Sequence, residues 1–228
     1  MRKNFFVILA LLTIGYFSCN KNPYRAAPPL TAYSYFPQTY GSTWRYRDSV
    51  FGEASNPLAI FGVKNDTLTY TMNGATTDFN SKICYDVDVS SRLFPRHIAD
   101  YFVSKHIYEL IEPSLAFGLI DLQILNDTAH AGYTWNSTPS LTTLLHNSPV
   151  RAINTIVETD MTKIEAGRIY TSVTHTAINF QINVNNQGFY NIAHFDFYLA
   201  GDVGIIEKDA YYYGYLNETQ TIVDFHIK

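Results

Sequence analysis

The chain has 228 residues, 46% of them hydrophobic and 16% charged, enough apolar content to bury a core and too much for a disordered chain. A net charge of −4 lacks the basic footprint that nucleic acid requires, and two cysteines exclude a disulfide scaffold or a cysteine-rich zinc module. Aromatic residues reach 15%, led by 18 Tyr and 15 Phe, an excess that any account of the fold has to place.

The first element in chain order is a targeting segment. Arg2 and Lys3 are followed by an apolar run over residues 5–17, interrupted only by Thr13 and Gly15. That length is too short to span a bilayer and suits the apolar region of a signal peptide. The run ends in Phe17-Ser18-Cys19, and a small residue directly before Cys resembles the lipobox of bacterial lipoproteins. The resemblance implies cleavage before Cys19, a diacylglycerol thioether on its sulfur and an acylated amine. Residues 1–18 are then a lipoprotein signal peptide. Their loss removes two basic side chains and leaves a net charge of −6. A triacyl anchor holds such a chain at a membrane without a polybasic patch. Cys84 becomes the only thiol, so no internal disulfide forms. Residues 19–32, with three prolines and no periodicity, read as a lipid-anchored extended tether, and residues 33–228 as one domain.

That domain reads as all-β. Runs rich in Thr, Val, Ile and Tyr occur near 43–51, 66–72, 82–89, 101–111 and 152–160. Within 82–89, alternation places Cys84, Asp86 and Asp88 with the polar set and Ile83, Tyr85, Val87 and Val89 with the apolar set. Cys84 therefore reads as a structural thiol, and the two aspartates as charges guarding an edge strand. Residues 114–125 are too continuously apolar to fix a period and fit a helix or a buried strand; 139–146 is a second, shorter helical candidate. Further on, Ile178, Phe180, Ile182 and Val184 alternate with polar residues, as do Phe195, Phe197 and Leu199, and Val223, Phe225 and Ile227. Asn73-Gly74, Asn186-Gln187-Gly188 and Tyr213-Gly214 supply turn chemistry. Long strands over 169–185 and 192–200 joined by a short turn predict an antiparallel meander curled into a barrel or half-barrel, with at most one or two short helices.

The two tryptophans stand in similar words, Gly41-Ser42-Thr43-Trp44 and Gly132-Tyr133-Thr134-Trp135. Each reads as a turn glycine leading into a strand anchored by a large ring, and a duplicated β unit would explain the pair. The stretch from Tyr35-Phe36-Pro37 to Gly41-Ser42-Thr43-Trp44-Arg45-Tyr46 resembles the opening of many small envelope lipoproteins of the Bacteroidetes type. The second word, and Ala200-Gly201-Asp202-Val203-Gly204-Ile205-Ile206-Glu207, resemble later words of the same family. The resemblance implies an envelope location and an all-β fold, in a family largely without assigned function.

Motifs that carry chemistry are few. The seven histidines form no H-E-x-x-H signature. His194 and Asp196 share a strand face, but two ligands do not make a metal site, and the wet face of a strand needs polar residues in any case. His175 and His226 lie on other strands. No G-x-S-x-G elbow, P-loop or G-x-G-x-x-G occurs, so no catalytic residue, metal site or cofactor is assigned and the expectation is a non-enzyme. Asp48-Ser49-Val50, Asp66-Thr67-Leu68 and Asp127-Thr128-Ala129 resemble the O-glycosylation signal of Bacteroidetes envelope proteins, which implies glycans at Ser49, Thr67 or Thr128 where these are exposed. Tyr211, Tyr212, Tyr213 and Tyr215 are candidate ligand contacts, since exposed tyrosines stack on sugars or line apolar grooves.

The expected function is a binding or accessory lipoprotein held in the envelope, with the absence of an acidic run after Cys19 favouring the periplasmic face of the outer membrane. Its partners are the membrane, through the anchor, and one further ligand. Either the curled sheet encloses a cavity for an apolar ligand, or it is filled by its own side chains and its surface contacts an envelope protein or glycan. A hydrolase would need the scattered His and Asp residues to converge.

Overall fold

The computed structural model describes residues 34–51, 64–92, 96–114, 118–140 and 148–228. Cys19, the signal peptide, the tether and most of the 139–146 candidate lie outside these residues.

Among the described residues there is no α-helix, and twelve strands follow one another in the chain. They are β1 (Thr43–Val50), β2 (Lys64–Phe79), β3 (Lys82–Ser90), β4 (His97–Ser104), β5 (Ile107–Ser114) and β6 (Gly118–Asn126), then β7 (Thr134–Ser137), β8 (Val150–Glu165), β9 (Arg168–Asn183), β10 (Phe189–Ala200), β11 (Gly204–Tyr212) and β12 (Tyr215–His226). All belong to one antiparallel sheet in which every strand pairs with its neighbour in sequence except across β6 and β7, and β12 returns to pair with β1. The result is the expected meander, a nearly closed barrel. Its seam lies between β6 and β7, bridged by the Trp135 indole N–H, which donates to Gln123 at 3.0 Å. The two tryptophan words stand at matching places: Gly41 and Gly132 both have positive φ, at 79° and 83°, and Trp44 and Trp135 each stand in the strand that opens a run of six.

Two local expectations are corrected and a third, left open, is decided. The run at 101–111 is two strands, split by a turn at Lys105 and His106 where Lys105 takes a φ of 56°. Asn73-Gly74 is no turn; it lies inside β2, where the register with β3 jumps between Met72 and Thr76 and the extra residues form a bulge. Of the two readings left open for 114–125, strand holds over residues 118–126, and the lost periodicity has a cause. The inward face of β6 packs on the core, and its outward face lies under residues 134–140: the Ser140 backbone N–H donates to Asp121 and the Trp135 ring to Gln123.

The sheet order overturns the edge-strand reading of Asp86 and Asp88. β3 runs between β2 and β4, and Cys84, Asp86, Asp100 and Asp121 on its outward side are all buried. Asp86 stands directly opposite Asp100. Burial, then the neighbouring Asp86 charge, push the Asp100 carboxyl up to about 6. Asp88 is instead partnered by Arg96.

Candidate functional site

The strands give the barrel two ends. The near end holds the turns at 105–106, 166–167 and 201–203, and the chain arrives there. Asp202 donates its backbone N–H to the Ser34 carbonyl at 3.0 Å. From this point residues 34–42 turn into the barrel and plug it. Phe36 is fully buried, stacked on Tyr101 at 4.1 Å and edge-on to Tyr108 at 5.5 Å. The Trp44 indole N–H donates to the Val203 carbonyl at 2.6 Å, and the Tyr46 hydroxyl to that of Ile205 at 2.8 Å. Gly204, at φ 108°, leaves room for the Tyr35 carbonyl, which a Cβ would meet at 3.3 Å.

Toward the far end, the interior changes character. Along β11, Ile206, Lys208 and Ala210 share the inward face, so a lysine occupies an apolar position. Its ammonium lies 2.7 Å from Glu112 and 3.5 Å from Glu218. Five strands separate β5 from β11 in the sheet, so the Lys208–Glu112 pair crosses the interior. Burial opposes the Lys208 charge, but Glu112 and Glu218 outweigh it and hold the ammonium well above its ordinary pKa. Asp48 completes the group. Burial, then Glu218, push its carboxyl up to about 7 against the opposing pull of Lys208, and one of its oxygens has no hydrogen-bond partner.

The outer wall of β9 and β10 carries a second polar group. His175 and His194 bracket Asp196, with ring-nitrogen to carboxylate distances of 2.7 and 3.1 Å, and Asn179 holds the other His194 nitrogen at 3.0 Å. Burial alone would raise Asp196, but hydrogen bonds from His175 and then His194 hold it well below the usual carboxylate range. Each histidine meets a different oxygen, so the ring nitrogens flank the carboxylate instead of converging. Among the described residues, no three such side chains are placed to hold a metal ion. His175 also stacks on Tyr198 at 4.3 Å, over which the Lys163 ammonium sits at 3.9 Å from the bent β8–β9 hairpin. The group is a fixed polar wall. His226, at the near end of β12, takes no part in these contacts.

The remaining candidates separate by position. Tyr211 faces outward beside His194, at a ring distance of 5.6 Å, whereas Tyr212 faces inward, edge-on to Phe195 at 6.1 Å. Tyr213 and Tyr215 stand exposed around a tight turn at the far end, where Tyr213 and Gly214 both have positive φ, at 52° and 84°. Tyr190, at the start of β10 beside the neighbouring turn, is also exposed. The four tyrosines of the local cluster therefore share no single face; Tyr213 and Tyr215, joined by Tyr190, form the exposed set. Thr67 and Thr128 are exposed, while Ser49 is half-buried and donates its hydroxyl to Asn65 at 2.9 Å. Cys84 is fully buried, and burial is the main cause that pushes its thiol up to about 12. Sequence reasoning missed Lys208 with Glu112. The available signal was a charged residue falling in the apolar register between Ile206 and Ala210.

No protein-family model matches the chain, and no curated protein matches it in sequence. Two solved structures are similar in shape. One is a protein of Bacteroides fragilis inferred to be exported, with a YmcC-like fold; it is 9% identical, with a TM-score of 0.47 over 84% of this chain and 98% of that one. The other is a protein of Parabacteroides distasonis inferred to be a lipoprotein; it is 11% identical, with a TM-score of 0.48 over the same shares, 84% and 98%.

Proposed function

We propose that the protein is a non-enzymatic envelope lipoprotein, anchored through Cys19 at the periplasmic face of the outer membrane, that presents the far end of its barrel to an envelope protein or glycan. The observation that carries this reading is the filled interior. Phe36, Trp44, Tyr46, Tyr70, Tyr101 and Tyr108 occupy the space between the walls, and an apolar cargo would have to displace them. The near end is plugged by the segment that leads to the anchor. The far end carries the exposed tyrosines, whose rings offer stacking area at low entropic cost. O-glycans are expected on exposed Thr67 and Thr128, and not on Ser49.

Native mass spectrometry of the full chain purified from its own envelope tests the reading. The expected mass is the polypeptide from Cys19 with three acyl chains, plus any O-glycans. A second apolar mass released by organic solvent would overturn the filled interior in favour of a carrier. A chain without acyl groups would overturn the anchor.

A further inference from the structure

A cleft of about 400 Å³ opens on the outer wall at the far end, lined by Arg47, Asn65, Asp66, Thr67 and Arg92. Its polar groups are arranged to donate. Arg47 and Arg92 are exposed, and among the described residues neither guanidinium has a carboxylate partner. Lys82, Arg96, Lys163, Arg168 and Lys208, by contrast, are each ion-paired. The one carboxylate of the cleft is occupied: one Asp66 oxygen accepts the Thr67 backbone N–H at 2.7 Å, and the other accepts the Ser91 hydroxyl. Asn65 spends its side-chain oxygen on Ser49, at 2.9 Å, so what its amide has left to offer the cleft is the NH₂ group. The exposed Thr67 hydroxyl completes the lining. Arg45 extends the cationic strip one step along the same face of β1.

We propose that this cleft binds an oxyanion group carried by a glycan, as a sulfate, phosphate or uronate carboxylate. Two guanidinium forks with an amide match the several acceptor oxygens of such a group, and the planar fork suits them better than a point charge does. A glycan is favoured over a lipid headgroup because the cleft stands at the end away from Ser34, where the chain leads to the anchor. The inference rests on the reading of the far end as the binding end and supplies its ligand class.

The test uses the full chain with Cys19→Ser, kept in non-ionic detergent and produced without envelope glycosylation so that Thr67 is bare. Arginine side-chain N–H signals are followed by NMR while inorganic sulfate or phosphate replaces chloride at constant ionic strength. Saturable shifts of Arg47, Arg92 and the Asn65 amide are expected below about 50 mM, with affinity falling about tenfold in Arg47→Gln and in Arg92→Gln. A sulfated oligosaccharide should bind more tightly than the free anion and lose that gain in the double variant. No saturable shift, or a shift unchanged in the double variant, would overturn the site. Binding to phosphatidylglycerol vesicles through the same arginines, without binding to the oligosaccharide, would overturn the glycan. Because Cys19 is replaced, none of these outcomes depends on whether the native chain is acylated, and the mass measurement above decides that separately.

Discussion

Replacing Lys208 by methionine isolates an ion pair that crosses the barrel. Methionine has nearly the reach and volume of the lysine stem, so the change removes charge with little cavity. Lys208 is only 4% exposed, and its ammonium is 2.7 Å from Glu112 and 3.5 Å from Glu218. Without it, those two carboxylates and Asp48 face one another with no cation among them. Removing one partner of a buried pair costs about 3–5 kcal/mol, most of it the penalty of leaving the opposite charge unpaired. Urea unfolding at pH 8, followed through the two tryptophans, should show a loss of that size in Lys208→Met. Adding Glu112→Leu and Glu218→Leu should return most of it, because a whole buried ion group can be exchanged for apolar packing at little net cost. At acid pH the single variant should approach wild type, since the carboxylates then take up protons. A Lys208→Met chain within about 1 kcal/mol of wild type at pH 8 would refute the argument, because it would place Lys208 in water.

Two further predictions concern groups whose ionisation burial has changed. The Asp48 carboxyl stands at about 7 in the folded chain against an ordinary 3.8. Between those values the folded state keeps a proton that the unfolded chain has lost, so this group lowers stability as pH rises from about 4 to about 7. Asp48→Asn should match wild type near pH 4 and exceed it at pH 8, by at most about 4 kcal/mol; equal denaturation midpoints at both pH values would sink the assignment. Cys84 should resist iodoacetamide in the native protein at pH 8 and react fully in urea, as read by mass; rapid native labelling would mean that the outward face of β3 is open to solvent.

The sequence was legible where a strand has one wet face. Phe195, Phe197 and Leu199 alternate with His194, Asp196 and Tyr198 because β10 packs inward and meets water outside, and the structure keeps that division. Legibility failed where a second layer covers the outer wall. Alternation assigned Cys84 and Asp86 to the outward face of β3 correctly, but outward there means buried, which no local pattern shows. On β6 the outward Asp121 and Gln123 are likewise covered, and they accept from Ser140 and Trp135 of that layer instead of from water. Asn73-Gly74 carries turn chemistry, yet β2 passes through it because β3 pairs with both flanks, on either side of the bulge, and β1 pairs with the first. In the candidate site, the two exposed members of the tyrosine cluster were visible as a word. The Arg47–Arg92 cleft was not, because it joins the middle of β1 to the segment after β3, a distance in sequence that no local pattern spans.

The aromatic excess follows from the width of the barrel. About eight strands give an interior that ordinary side chains just fill, while sixteen or more leave a channel. Twelve strands lie between these limits, and a nearly closed ring of that size is stable without a ligand only if its inward residues are long. The chain meets this demand in two ways. At the near end, rings reach inward from β1, β2, β4 and β5, and Phe36 enters from the segment before β1 to close the stack. At the far end, Lys208 and Glu112 meet across the interior, two long side chains reaching toward each other from β11 and β5. A carrier of the same strand number would do the opposite, with small inward residues and the remaining volume left to its cargo. The 15% aromatic content is therefore itself an argument for a filled barrel, and it moves the search for a binding surface from the interior to the far-end tyrosines and the arginine cleft.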